Sequence, residues 1–126
     1  MKLIVKGNAS SQKNDKIIGY RYSGGKRVPF IMSSKKSKEY REDAAKELAL
    51  QFKGYKVTEF PISVSIVFYF STDIRRDLDN AAAGVMDALT QSGILPDDNT
   101  KYVDCITLQY GGIDKNNPRT EIFLDE

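Results

Sequence analysis

The sequence predicts an α+β fold, a two-layer domain in the order β-α-β-α-β-β whose mixed sheet carries two helices packed on one face. Three observations predict it. Ile62, Val64, Ile66, Phe68 and Phe70 alternate strictly, which puts all five on one side of an extended strand. Tyr40, Ala44, Leu48 and Phe52 recur every fourth residue, and Leu78, Ala82, Val85 and Leu89 keep a helical period, so two helices have apolar stripes to bury. Gly111-Gly112 through Pro118 separates two last strand-like stretches, as the turn of a hairpin does.

In chain order, residues 2–6 read as the first strand. The apolar part of Met1–Lys6 is too short for a secretory signal. Residues 7–32 are rich in Gly, Ser, Asn and Lys, with Gly24-Gly25 and Pro29 as breakers, and read as a long loop with a short strand near Val28–Met32. A loop of that length in a small domain is more often functional than idle. The first helix runs from about Lys35 to Lys53, with Ser33 or Ser34 as its N-cap and Gly54 as its stop. The strand over 61–70 follows, then a helix over Leu78–Gln91 closed by Gly93. Strands over 102–110 and 119–124 are expected to pair as an antiparallel hairpin. No repeat, low-complexity tract or linker divides the chain, so a single domain is expected over 1–126.

Composition narrows the chemistry. The chain has no histidine and one cysteine, Cys105, which excludes an internal disulfide, Cys/His zinc sites and histidine-assisted nucleophilic catalysis. Cys105 lies in an apolar stretch and is expected to be a small buried residue. No apolar run approaches the roughly 20 residues of a membrane span, and a cytoplasmic protein is expected. Net charge is only +2, yet residues 1–60 hold 14 Lys+Arg against 6 Asp+Glu, while residues 61–126 hold 5 against 11. One part suited to a polyanion and another suited to cations fits that asymmetry, as does plain solubilisation. Lys35, Lys36 and Lys38 cluster at the start of the first helix, well placed to meet phosphates.

The acidic residues carry the functional reading. Asp77-Leu78-Asp79 and Asp97-Asp98 bracket the second helix. Gathered carboxylates repel, and folds that gather them usually hold a divalent cation or shift their pKa values. On one helix Asp77 and Asp79 would lie roughly 200° apart. If Asp77 is extended at the helix start, both can face one space. Asp97-Asp98 must then be brought back by the fold from the far end of a helix roughly 21 Å long. The alternatives are ordinary ones: Asp77 or Asp79 as an N-cap, and Asp97-Asp98 as a turn after Pro96. Asp87 reads as a structural partner or an exposed charge. Arg75 and Arg76 just upstream would attract a phosphate.

The string Arg75-Arg76-Asp77-Leu78-Asp79-Asn80, then Asp87-Ala88-Leu89, Gly93-Ile94-Leu95 and Asp97-Asp98, resembles the RusA-type Holliday junction resolvases, the crossover junction endodeoxyribonucleases. The close match spans residues 75–98, and a weaker one covers most of the chain. The resemblance implies a homodimeric, magnesium-dependent endonuclease acting on four-way DNA junctions in recombination and repair, often encoded by phages or prophages. It implies catalytic, metal-holding roles for Asp77, Asp79 and Asp98, with Asn80 in support. Oxygen donors suit Mg²⁺ or Mn²⁺. Lys35, Lys36, Lys38, Arg75 and Arg76 are the expected DNA-backbone contacts, and Tyr20, Tyr22 or Phe30 are candidates to wedge at a branch point. One departure stands out: where the family commonly has a lysine four residues after the second aspartate, this chain has Ala83, with Arg75, Arg76 or Lys101 as candidate substitutes. Two other functions fit the same residues: a branched-DNA-binding protein with weak or no cleavage, and a metal-dependent phosphohydrolase on other nucleic acid substrates.

Overall fold

β4 (Ile62–Phe70) is the centre of the molecule, as its unbroken apolar face requires. The computed structural model describes residues 1–9, 16–33, 35–55, 57–73 and 76–125, and of 16–19, 31–33 and 35–37 the backbone alone. The other elements are β1 (Lys2–Lys6), β2 (Lys16–Ser23), β3 (Lys26–Ser33), α1 (Lys35–Gln51), α2 (Leu78–Gln91), β5 (Val103–Ile113) and β6 (Arg119–Asp125). Four strands form a mixed sheet in the order β1-β6-β4-β5, and β2 and β3 form a separate two-stranded sheet.

Ile62, Val64, Ile66, Phe68 and Phe70 are all buried, as their alternation demands. Leu3, Val5, Ile122 and Leu124 extend that face across β1 and β6. Both helices cover it: Ala44 and Leu48 from α1 and Ala82, Val85 and Leu89 from α2 join the same core cluster. Burying each Val, Leu or Ile side chain of this set contributes about 1.5–3 kcal/mol. The opposite face of the sheet is more polar. There Arg119 lies over the Tyr69 ring at 4.0 Å and donates to Glu121 at 2.9 Å and Asp114 at 2.8 Å. The Arg119 guanidinium holds the Glu121 carboxyl below the usual carboxylate range.

The structure corrects three expectations. β5 and β6 do not pair. β5 runs parallel to β4 on one side, and β6 runs antiparallel to β4 on the other, so the turn between them carries the chain across the end of β4. A helix between β4 and β5 favours this, because parallel neighbours need a long crossover and β4-α2-β5 supplies one. Second, residues 7–32 are not chiefly loop: 16–33 form the β2–β3 hairpin, while 10–15 and Ser34 lie outside the described residues. Ser33 ends β3. Third, Cys105 is exposed, because it pairs with Ser63 on the sheet face away from the helices.

β5 is an edge strand, and the two helices do not span the full width beneath it. Ile106, Tyr110 and Ile113 therefore remain exposed, although their partners Val64, Phe68 and Phe70 are buried. That uncovered margin between α2 and β5 forms the floor of the site described next.

Candidate active site

α2 begins where the sequence allows it to. Asp77 is the N-cap residue in extended backbone (φ −99°, ψ 125°), the conformation the spacing argument called for. Its carboxylate makes no cap bond to the helix and instead accepts from Asn80 Nδ2 at 3.4 Å. Asp79 lies in the first turn, where a negative charge is favoured by the helix dipole, and its Oδ1 accepts from the Asn80 N–H at 3.0 Å. At the other end Gly93 takes φ +85°, which a side chain resists, and stops the helix.

The following loop turns back because it is anchored. Ile94 and Leu95 are buried, and Leu95 N–H bonds to the Leu89 carbonyl at 3.3 Å. Asp97 then closes a tight turn with both carboxylate oxygens. Oδ1 accepts from the Asp98 N–H at 2.8 Å and Oδ2 from Asn99 Nδ2 at 3.1 Å. Asp97 is thus occupied in shaping the loop, and Asp98 is the member of the pair that lines a cavity.

That cavity has a volume of about 380 Å³ and is lined by Asp79, Ala82, Ala83, Met86, Asp87, Asp98, Ile106 and Leu108. Asp79 from α2 and Asp98 from the loop after it therefore line one space, over an apolar floor from β5. Asp77 is not part of the lining. Among the described residues no group of three acidic, histidine or cysteine side chains is close enough to enclose a metal ion. In character the donors fit a hard divalent cation, being carboxylate oxygens only in a chain without histidine.

Sequence reading missed Asp87 as a wall of this cavity. The signal was present: Asp79, Ala83 and Asp87 follow at four-residue steps and so share one helix face. Asp87 also meets Arg41 of α1 at 3.9 Å. No lysine or arginine lines the cavity among the described residues. Of the expected DNA contacts, Lys38 is exposed on α1. Arg76 lies over the Phe70 ring at 4.3 Å and donates to the Thr72 carbonyl at 3.0 Å. Arg75 and the side chains of Lys35 and Lys36 lie outside what the structure describes. Lys101 faces the Tyr102 ring at 5.7 Å and does not line the cavity.

A mixed sheet that presents Asp79 from a helix start and Asp98 from a returning loop to one cavity, in a chain with no histidine, defines an α+β protein with an acidic, oxygen-donor site. More particularly, the chain belongs to the RusA endodeoxyribonuclease family, which it matches over residues 9–125. A search of curated proteins finds no match. No described helix is long and apolar enough to cross a membrane.

Proposed function

We propose that the chain is a magnesium-dependent, structure-specific endodeoxyribonuclease that resolves four-way DNA junctions in recombination and repair. In this reading one domain spanning residues 1–126 carries the activity, and a homodimer acts in the cytoplasm of a bacterium or a phage-infected cell. The observation that carries the reading is the shared cavity of Asp79 and Asp98, two separate pieces of the motif, in a chain of an endodeoxyribonuclease family.

Asp77, Asp79 and Asp98 would hold Mg²⁺ (or Mn²⁺), which supplies an activated water and neutralises charge on the phosphate. The chain's own residues do the rest. Asn80 donates to both Asp77 and Asp79 and so orients the two carboxylates at the helix start. Met86, Ile106 and Leu108 give the cavity an apolar wall, which lowers the local dielectric and strengthens each electrostatic contact there. Lys35, Lys36, Lys38, Arg75 and Arg76 bind the DNA backbone, and their contribution weakens with salt. Two copies related by a two-fold axis match the two equivalent strands that a four-way junction offers for cutting.

The test is junction cleavage against Mg²⁺ concentration for the parent chain and Asp79→Asn. The variant removes a ligand charge without adding bulk, so cleavage should fall at least a hundredfold while junction affinity stays within about threefold. Cleavage by Asp79→Asn at the parent rate, or equal parent turnover on junction and linear duplex, defeats the proposal. Ala83 supports a second reading, a branched-DNA-binding protein with weak cleavage, since it lines the cavity at the position where similar sequences carry lysine. Junction binding with no product at any Mg²⁺ concentration would favour that reading.

A further inference from the structure

We propose that the β2–β3 hairpin is a DNA-contacting ribbon, in which Tyr20 and Tyr22 stack on bases unpaired at a branch point while Arg21, Lys26 and Arg27 bind the flanking phosphates. The inference rests on the reading of the chain as a junction endonuclease and names the part of the junction that this element grips.

The hairpin is well specified by its own sequence. Gly24 and Gly25 take φ +60° and +78°, the two positive values that a two-residue type I′ turn needs, and Ser23 pairs with Lys26 across it. That turn fixes the register, with Tyr22 opposite Arg27 and Tyr20 opposite Pro29. Residues opposite one another share a face, so Tyr20, Tyr22 and Arg27 point the same way. Arg27 lies over the Tyr20 ring at 4.1 Å, which places a cation against an aromatic face on the outside of the protein.

Packing does not account for these residues. Tyr20 is 53% exposed, Tyr22 78% and Phe30 39%, and no described hairpin residue belongs to the core. Within 20–30 only Val28 is even partly covered. Neither strand packs substantially on the four-stranded sheet or the helices among the described residues. Tyr20 and Tyr22, left in water on the described part of the hairpin, form the kind of surface that a partner covers.

Charge selects the partner. Residues 16–33 contain Lys16, Arg21, Lys26 and Arg27 and no acidic residue, so the ribbon is complementary to a polyanion. Aromatic rings narrow the choice to a nucleic acid with accessible base faces, because stacking needs a π-surface that a closed duplex hides within its own stack. Tyr20 and Tyr22 stand two residues apart on one strand, about 6.8 Å, which is twice the base separation of about 3.4 Å. The two rings thus match alternate positions of a base stack, and a branch point is where a four-way junction exposes its bases.

The experiment measures binding of the full chain, without divalent metal, to a four-way junction carrying 2-aminopurine at the branch and to a linear duplex of equal length. The double variant Tyr20→Ala/Tyr22→Ala should weaken junction binding tenfold or more, narrow the preference for junction over duplex, and abolish the 2-aminopurine signal change. Tyr20→Phe/Tyr22→Phe keeps the rings and should bind like the parent, which separates stacking from a general loss of structure. Arg21→Gln/Lys26→Gln/Arg27→Gln should lower the salt dependence of log Kd by about 2–3 on both DNAs. Parent-like junction binding and branch signal in the tyrosine-to-alanine variant overturns the ribbon while leaving the nuclease reading intact. A parent chain that binds neither DNA overturns both.

Discussion

Replacing Ala83 with lysine puts an ammonium into a cavity whose described lining holds three aspartates and no cation. Ala83 is exposed, one helical turn from Asp79 and one from Asp87, so the new charge has room and flanking partners. Four residues of helix advance about 6 Å. A unit charge at that separation interacts with another by about 0.7 kcal/mol at the dielectric of water and by about 3 kcal/mol at an effective value near 20. Applied to charge developing on a phosphate in the cavity, this is a rate gain between about threefold and about a hundredfold. The fold should not object. Lysine is nearly as good a helix former as alanine, and each four-residue pair with Asp79 or Asp87 returns roughly 0.3 kcal/mol. The assay is single-turnover cleavage of a four-way junction at saturating Mg²⁺, with thermal melting as a control. An unchanged Tm together with an unchanged or slower rate would refute the argument that the cavity lacks a cation.

Three further outcomes follow from other parts of the structure. Asp98→Asn should abolish cleavage, whereas Asp97→Asn should keep it within a few-fold, since asparagine still offers an acceptor for the Asp98 N–H; equal losses in a cleavage assay would contradict the division of labour in that loop. Tyr40 has a covered hydroxyl with no well-formed hydrogen bond among the described residues, and burial pushes its pKa up to about 12, so folding keeps the proton that the unfolded chain releases from pH 10. Its stabilising share is whole below pH 10 and lost between pH 10 and 12, at most about 3 kcal/mol, and urea unfolding of Tyr40→Phe should show a shallower alkaline decline than the parent. Gly111→Ala would place its methyl 2.7 Å from Tyr69 Cε1 and 2.9 Å from Val67 Cγ1, on a strand whose register shifts beside it, and should cost about 1–3 kcal/mol in denaturant unfolding.

Elements with a dominant apolar period were legible in the sequence almost to the residue. The predicted second helix, Leu78–Gln91, is the observed α2, and the alternation over 61–70 is β4 with one residue trimmed. β2 went unread because its Gly-, Ser-, Asn- and Lys-rich surroundings read as loop, although Ile18, Tyr20 and Tyr22 alternate and Gly24-Gly25 offers the turn of a hairpin. The pairing of β5 was hidden for a different reason. Periodicity says which residues form a strand, while only the crossover through α2 says on which side of β4 it lies. At the site, the resemblance pointed to Asp77, Asp79 and Asp98, of which Asp79 and Asp98 line the cavity and Asp77 does not. What it could not supply was Asp97's use of both oxygens in the turn, or the apolar floor of Ile106 and Leu108, which exists only because α2 leaves the sheet margin uncovered.

α2 has two jobs on adjoining sides, which meet at Ala82 and Met86. Its inner surface, with Ala82, Val85 and Leu89, is core, and its outer surface carries Asp79, Ala83 and Asp87. Aim and rigidity are thus inherited from one rod: changes that loosen its inner surface degrade thermal tolerance and turnover together. The described part of the β2–β3 hairpin contributes nothing to that core, so under the proposed reading the grip on DNA can be retuned there without disturbing the cavity.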